Sequence, residues 1–509
     1  MSAAAATHDA VDPGRRTLIT IAVMLASILQ ALDTTIANVA LPHIRGSLSA
    51  TLEQMGWVLT SYIVAVAIMT PFTGWLAGQV GRKQVLLVSV IGFTVTSALC
   101  GFATSLTELV LFRFLQGMFG AALVPMSQAV LLDINPVERH GRATATWAMG
   151  VTVGPIIGPA LGGWLTDDYS WRWVFYINIP FGILSALGIL SFLKETPIRR
   201  SGFDFFGFAT LSLAIGGLQV LLDRGPLLDW FNSTEICIEA LVAAVAFYLF
   251  LVQSFTARAP FVSPALFADR NFAVGQVFIF MIGVVLFACL DLLPPLLTDL
   301  MGYPVVTTGL VTAPRGIGTF CTMLFVGRLV GRIDARILMS VGMLIVALSL
   351  WMMCGFSLQM DSHLVIWSGF LQGVGTGLAY VPLAAVTFAT LTPQLRSEGT
   401  AIFNLLRNMG SSIGIAAVQA LLTRNTQVMH ARLAEQVTAW GGHLAAKVPD
   451  LDTHHGLAAL NQMVTRQATM IAFNNDFKLM LVMTLAVVPL IALLRRPRRN
   501  AAPVEIHAE

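Results

Sequence analysis

Phe114-Leu115-Gln116-Gly117 returns as Phe370-Leu371-Gln372-Gly373, and Thr144, Ala145, Gly154 and Gly158 return as Thr400, Ala401, Gly410 and Gly414, each pair 256 residues apart. Leu32-Asp33 finds Leu290-Asp291 at an offset of 258, and Gly74-Trp75-Leu76 finds Gly327-Arg328-Leu329 at 253. Self-similarity at a fixed offset marks an internal duplication. Around these repeats, apolar runs lie near 17–41, 54–78, 84–103, 107–131, 143–165, 174–193, 205–222, 234–254, 273–298, 305–327, 336–356, 363–391, 397–422 and 477–494. A helix that crosses hydrocarbon needs roughly 20 apolar residues, so each run reads as one transmembrane helix. The fold expected is an all-α polytopic membrane protein with 14 spans, two six-helix halves plus two inserted helices. The expected divisions are a tail 1–16, a six-helix half 17–193, and a linker 194–272 with the inserted pair. A second half 273–494 includes an external loop 424–476, and a tail 495–509 follows.

Composition agrees with that reading. The chain has 509 residues, 56% hydrophobic and 11% charged, with mean hydropathy +0.77, which no soluble surface tolerates. A net charge of +3, scattered between apolar runs, points away from nucleic acid. Five cysteines show neither disulfide nor zinc spacing. The first run follows Arg15 and Arg16 and lacks a cleavage-like ending, so it reads as a retained helix. Of 30 Lys and Arg residues, nineteen fall on the N-terminal side of the membrane and only Arg45, Arg172 and Arg224 in short loops opposite. The excess places both termini in the cytoplasm.

A parallel repeat of six-helix halves is the build of a secondary transporter whose site lies between them. More specific are Leu32-Asp33-Thr34-Thr35-Ile36-Ala37-Asn38-Val39-Ala40-Leu41-Pro42, Arg113-Phe114-Leu115-Gln116-Gly117, and Gly150-x3-Gly154-Pro155-x2-Gly158-Pro159-x2-Gly162-Gly163. Trp171-Arg172-Trp173-x-Phe175-x-Ile177-Asn178-x-Pro180 and Leu222-Asp223-Arg224-Gly225 join them. Through these, nearly the whole chain resembles the major facilitator superfamily, in its fourteen-helix drug:proton antiporter branch of the EmrB/QacA type. The resemblance implies proton-driven export of lipophilic or amphipathic toxic compounds by rocker-switch alternating access, from a bacterial cytoplasmic (inner) membrane. It implies no cofactor. In a double-membrane bacterium it implies a periplasmic adaptor of the EmrA-like membrane-fusion type and an outer-membrane channel as partners. One departure stands out in the loop Gly74-Trp75-Leu76-Ala77-Gly78-Gln79-Val80-Gly81-Arg82-Lys83, where Gly78 replaces the family's usual Asp. Arg82 and Lys83 are left to contact helix ends or anionic lipid, or simply to anchor orientation.

Asp33 lies about 8 residues, ~12 Å, from the outer end of its run, and Arg113 about 6 residues, ~9 Å, from the outer end of another. Two charges at similar depth in oil are costly unless they face an interior. A carboxyl that can neutralise itself is a natural proton carrier, and Arg113 either tunes it or competes for substrate; the alternative is a static buried pair. Arg315 and Arg407 reach mid-membrane, and Asp291 is taken as the repeat partner of Asp33. Gly150, Gly154, Gly158 and Gly162 recur every four residues, a face for close helix packing, with Pro155 and Pro159 as the hinge. Substrate-cavity candidates are Trp57, Tyr62, Gln116, Trp147, Tyr380, Phe403 and Asn404.

Enzyme readings fail on context. Gly410-Ser411-Ser412-Ile413-Gly414 matches a hydrolase nucleophile pattern but lies in an apolar helix with no strand before it. No Gly-x4-Gly-Lys-Ser/Thr supports an ATP-driven pump. Two alternatives to drug export stay open: export of one metabolite, and proton-linked import.

Overall fold

The structure, a computed structural model, describes residues 12–436 and 454–495 apart from 137–138, 197, 199–201, 331 and 393–394. Most of both expected tails and the turn of the external loop therefore lie outside the described residues.

Helices follow one another through short connections. They are α1 (Pro13–Leu48), α2 (Leu52–Val80), α3 (Arg82–Phe102), α4 (Leu106–Gly120), α5 (Leu123–Asp133), α6 (His140–Asp168), α7 (Trp173–Tyr176) and α8 (Asn178–Phe192). Then come α9 (Phe205–Arg224), α10 (Thr234–Thr256), α11 (Ala265–Ala268), α12 (Arg270–Pro295), α13 (Val305–Leu329) and α14 (Ala335–Met353). The last are α15 (Ser362–Ala389), α16 (Arg396–Gln436) and α17 (His454–Val487). Among the described residues 13 segments are long and apolar enough to cross a membrane, and α6, 29 residues long, stands where the fifth run was expected. Fourteen spans result. The fourth is jointed at Ala121–Ala122 between α4 and α5, and the sixth between α7 and α8.

Local chemistry sets the ends. Pro13 opens α1 while the Asp12 carboxylate accepts from the Gly14 and Arg15 amides at 3.1 and 3.3 Å. Ser49, at φ 52°, closes it, and Thr51 with Gln54 forms a reciprocal cap on α2. These devices permit the tight turn that brings α2 back.

Within the expected external loop 424–476, where weakly amphipathic stretches at 425–437 and 455–473 flank a Gly/Pro-containing turn, α16 is helical to Gln436 and α17 from His454. Polarity ends a membrane span, but it does not end a helix, and the sequence has no Gly or Pro between 424 and 436 to break one. His430 Nε2 lies 2.9 Å from Asn461 Oδ1, tying the two extensions together.

Clustering of the chain gives two compact units, Met1–Val220 with Ala240–Ser263 and Pro393–Leu405, and Leu221–Glu239 with Pro264–Thr392 and Leu406–Glu509. The first has an apolar core built on Leu32, Ile36, Ile44, Val58, Leu109, Val174 and Phe175. The second centres on Leu292, Leu296, Leu350, Phe356, Phe473 and Phe477. In the first unit the glycine face of α6 meets α1. A Cβ at Gly154 would lie 2.5 Å from the Ala31 carbonyl carbon, and one at Gly162 2.8 Å from Ile36 Cγ1. Thr35 Oγ1 donates to the Gly154 carbonyl at 3.1 Å across that contact. Close packing needs those hydrogens-only positions. Pro155 and Pro159 are helical, and their side chains lie outside the described residues.

Gly154→Ala should therefore force α1 and α6 apart and lower stability by about 1–3 kcal/mol, the usual cost of overpacking. Gly163→Ala, with nothing within 4 Å of its new Cβ, should be neutral. Thermal unfolding of the two purified variants in detergent checks the contrast.

Candidate functional site

Asp33, on α1, is reached by three side chains from two other helices, α4 and α8. Arg113 Nη1 donates to Asp33 Oδ2 at 2.7 Å, while Gln116 Nε2 and Asn178 Nδ2 donate to Oδ1 at 2.9 and 3.0 Å. Arg113 and Gln116 are three residues apart on α4 and so share a face, which lets Arg113 Nη1 donate also to Gln116 Oε1 at 2.8 Å. Asn178, at the start of α8, donates to Ser97 Oγ at 3.0 Å, and the Ser97 hydroxyl in turn donates to the Phe175 carbonyl at 2.9 Å. The Arg113 guanidinium lies 4.2 Å above the Tyr62 ring of α2. Asp33 is 0% and Arg113 1% exposed.

The two charges expected at similar depth therefore meet, and the carboxylate accepts three hydrogen bonds in a dry interior. Charge-assisted bonds of this kind are the strong ones. Their worth as a net stabiliser is small, because desolvating both ions costs nearly as much as pairing them returns. What the pair supplies is a constraint: neither member can lose its partner while the interior stays closed.

In the second unit, Gln372 of α15 donates to Cys289 Sγ at 3.0 Å. Gln372 repeats Gln116, so Cys289, at the common offset of 256, stands where Asp33 stands. Asp291 is not the counterpart; the match at 258 was two residues out of register, a rotation of about 200° on a helix. Asp291 is half-buried and accepts from Gln419 Nε2 at 2.6 Å. Arg315 is buried with Nε and Nη2 unbonded, so the backbone carbonyls beside Pro314 do not satisfy it. Arg407 is half-buried and faces the Tyr380 hydroxyl.

At the Gly74–Lys83 loop, Gly81 adopts φ 91° and the Glu195 carboxylate caps α3, accepting from the Lys83 and Gln84 amides at 3.0 and 3.2 Å. Lys83 Nζ donates to the Leu190 carbonyl at 2.8 Å, a helix-end contact. Arg82 pairs with Asp133 at the end of α5, and Arg396 Nη1 lies 3.4 Å from the same carboxylate. Asp133 thus supplies the acid that Gly78 withholds. A Cβ at Gly74 would come 3.0 Å from Glu398 Cα, so the loop is held close to that backbone.

Of the cavity candidates, Tyr62 and Gln116 belong to the Asp33 cluster. Trp147 is buried and donates Nε1–H to Ser27 Oγ at 3.1 Å, Phe403 is buried, and Asn404 donates to Gln128 Oε1 at 3.1 Å. Trp57 is 42% exposed. Sequence reasoning missed Asn178 and Ser97 as partners of Asp33, although Asn178 sits in a quoted motif. It also missed Asp476, which is buried near Asn425 with neither carboxylate oxygen well bonded among the described residues. The run Asn474-Asn475-Asp476 before the last apolar stretch was the available signal.

The family model described as Major Facilitator Superfamily matches residues 23–415. The chain belongs to that superfamily. It is 37% identical over 468 residues to the multidrug export protein EmrB of Escherichia coli K12, covering 90% of this chain and 91% of that one. It is 36% identical over 486 residues to the fatty acid resistance protein FarB of Neisseria gonorrhoeae, covering 94% and 96%. These relatives place it among the EmrB-type members. The human organic anion transporter MFSD10 shares the fold, with TM-score 0.61 at 14% identity over 93% of this chain and 100% of that one. In this superfamily member, then, a six-helix repeat has kept its glutamines and changed the charges around them.

Arg113→Leu should cost about 3–5 kcal/mol by stranding the buried Asp33 carboxylate. Combining it with Asp33→Asn should recover a large part of that loss. A double-mutant cycle in detergent, read by thermal unfolding, would instead show additive losses if the two side chains did not interact.

Proposed function

We propose that this chain is a proton-driven multidrug exporter of lipophilic or amphipathic toxic compounds, working by alternating access, with Asp33 as the proton carrier and Arg113 as the charge that competes for it. The observation that carries this reading is the Asp33 cluster: a titratable carboxyl with a fixed cation as its counter-charge, sealed from water in the conformation described. A carboxyl so placed exchanges its proton only when the interior opens, and protonation removes the charge that holds Arg113. Closure and proton affinity are thereby linked, as antiport requires.

Relatives named for multidrug export and for fatty acid resistance support amphipathic cargo. The close α1–α6 contact, made through a four-residue glycine ladder, supports a helix that slides or bends against its neighbour. Nineteen basic residues against three support a multi-pass protein of the bacterial cytoplasmic membrane with both termini inside. On that orientation the extensions of α16 and α17 stand on the periplasmic side, where we assign the docking of a membrane-fusion adaptor leading to an outer-membrane channel.

Purified protein in liposomes should release protons in a drug-dependent way, and Asp33→Asn should lose that coupled flux. Full coupled flux in the variant would remove Asp33 from the mechanism.

A further inference from the structure

At the Asp33 site the two copies of the repeat carry different groups. In the first unit a Cβ on Gly117 would strike the Tyr62 carbonyl, and in the second a Cβ on its counterpart Gly373 would strike the Arg315 carbonyl. Arg315 therefore occupies the place of Tyr62. Arg113 corresponds to Gly369, whose missing side chain leaves an added Cβ 3.8 Å from Arg315 Cβ. Gln116 corresponds to Gln372 and Asp33 to Cys289. The cation has moved from the fourth span to α13, the glutamine has stayed, and the carboxylate has gone.

The result is a positive site without its anion. Arg315 is 6% exposed, and among the described residues its Nε and Nη2 have no hydrogen-bond partner. Gln372 is 0% exposed, donates only to a thiol, and leaves Oε1 unbonded. Of the described ionisable side chains, only Cys289 stands close enough to act electrostatically on Arg315. Arg315 lies 10 residues into α13, about 15 Å from its start, so bulk water does not serve it. An unpaired buried guanidinium is costly to keep.

We propose that Arg315 and Gln372 form an anion-binding site for the carboxylate head of an amphipathic organic acid, whose oxygens take the place that Asp33 fills in the other half. The two N–H donors would hold that head as Arg113 and Gln116 hold Asp33. One helical turn away, Val285 and Thr376 help to line an apolar gap with Met281, Ile282, Leu286 and Met343, too small as it stands for more than a water-sized group, so a ligand's tail would have to part those side chains. Methionine-rich walls adapt to differently shaped apolar tails. A charged head at Arg315 and a tail wedged between those side chains would belong to one amphipath. The inference rests on the export reading for the ligand to be cargo, and its test measures binding alone, so the two stand or fall separately.

The probe is 4-butylbenzoate against its uncharged isostere 4-butylbenzamide, titrated by calorimetry into the purified full-length protein in detergent. Wild type should bind the acid at least about tenfold more tightly, the ratio one charge-assisted hydrogen bond supports. Arg315→Lys should keep most of that preference. Arg315→Gln should abolish it without lowering the melting temperature, since no partner is stranded. Cys289→Asp should restore an internal carboxylate, abolish benzoate binding and raise the melting temperature. Equal binding of acid and amide to wild type, or an unchanged preference in Arg315→Gln or Cys289→Asp, overturns the proposal. So does competition by chloride at equal concentration, which would show a site for inorganic anions.

Discussion

A charge in oil must find an opposite charge, a set of dipoles, or a proton. The first unit meets that demand at Asp33 by converging three helices on one carboxylate, with Arg113, Gln116 and Asn178 as donors. The geometry of those helices follows from the requirement. Arg113 and Gln116 must share a face of α4, Asn178 must open α8 at the depth of Ser97, and α1 must approach α6 closely enough to carry Asp33 inward. Glycines on α6 make that approach sterically feasible. The packing and the electrostatics are one arrangement.

Duplication relaxes the demand in one copy and reveals its parts. Where the first half is self-neutralising, the second keeps a guanidinium and a glutamine around a thiol. A neutral thiol cannot balance Arg315, so the second copy holds an unspent positive potential in its interior. The same glutamine thus serves a carboxylate in one copy and a thiol in the other.

Away from the interior, a second constraint shapes the Gly74–Lys83 loop. Gly78 removes an acid, yet Arg82 is still paired, because Asp133 from the end of α5 reaches it together with Arg396. Charge balance at that position is met through space. Nothing in the local sequence of the loop reveals it.

Span number, the duplication, and the pairing of Asp33 with Arg113 were legible because they depend on hydropathy, on spacing, and on the cost of burying charge. Helix beyond the membrane was legible only as weak amphipathic pattern at 425–437 and 455–473, since the end of an apolar run marks the solvent and not the fold. The error at Asp291 has its own origin: a two-residue match carries no register, whereas Gln372 bonding Cys289 does. Asn178, Asp133 and the isolation of Arg315 were beyond reach, because each depends on which helices become neighbours. Sequence alone determined that these charges had to be inside; only tertiary structure decided which of them meet, since pairing is a matter of a few ångströms between segments a hundred or more residues apart.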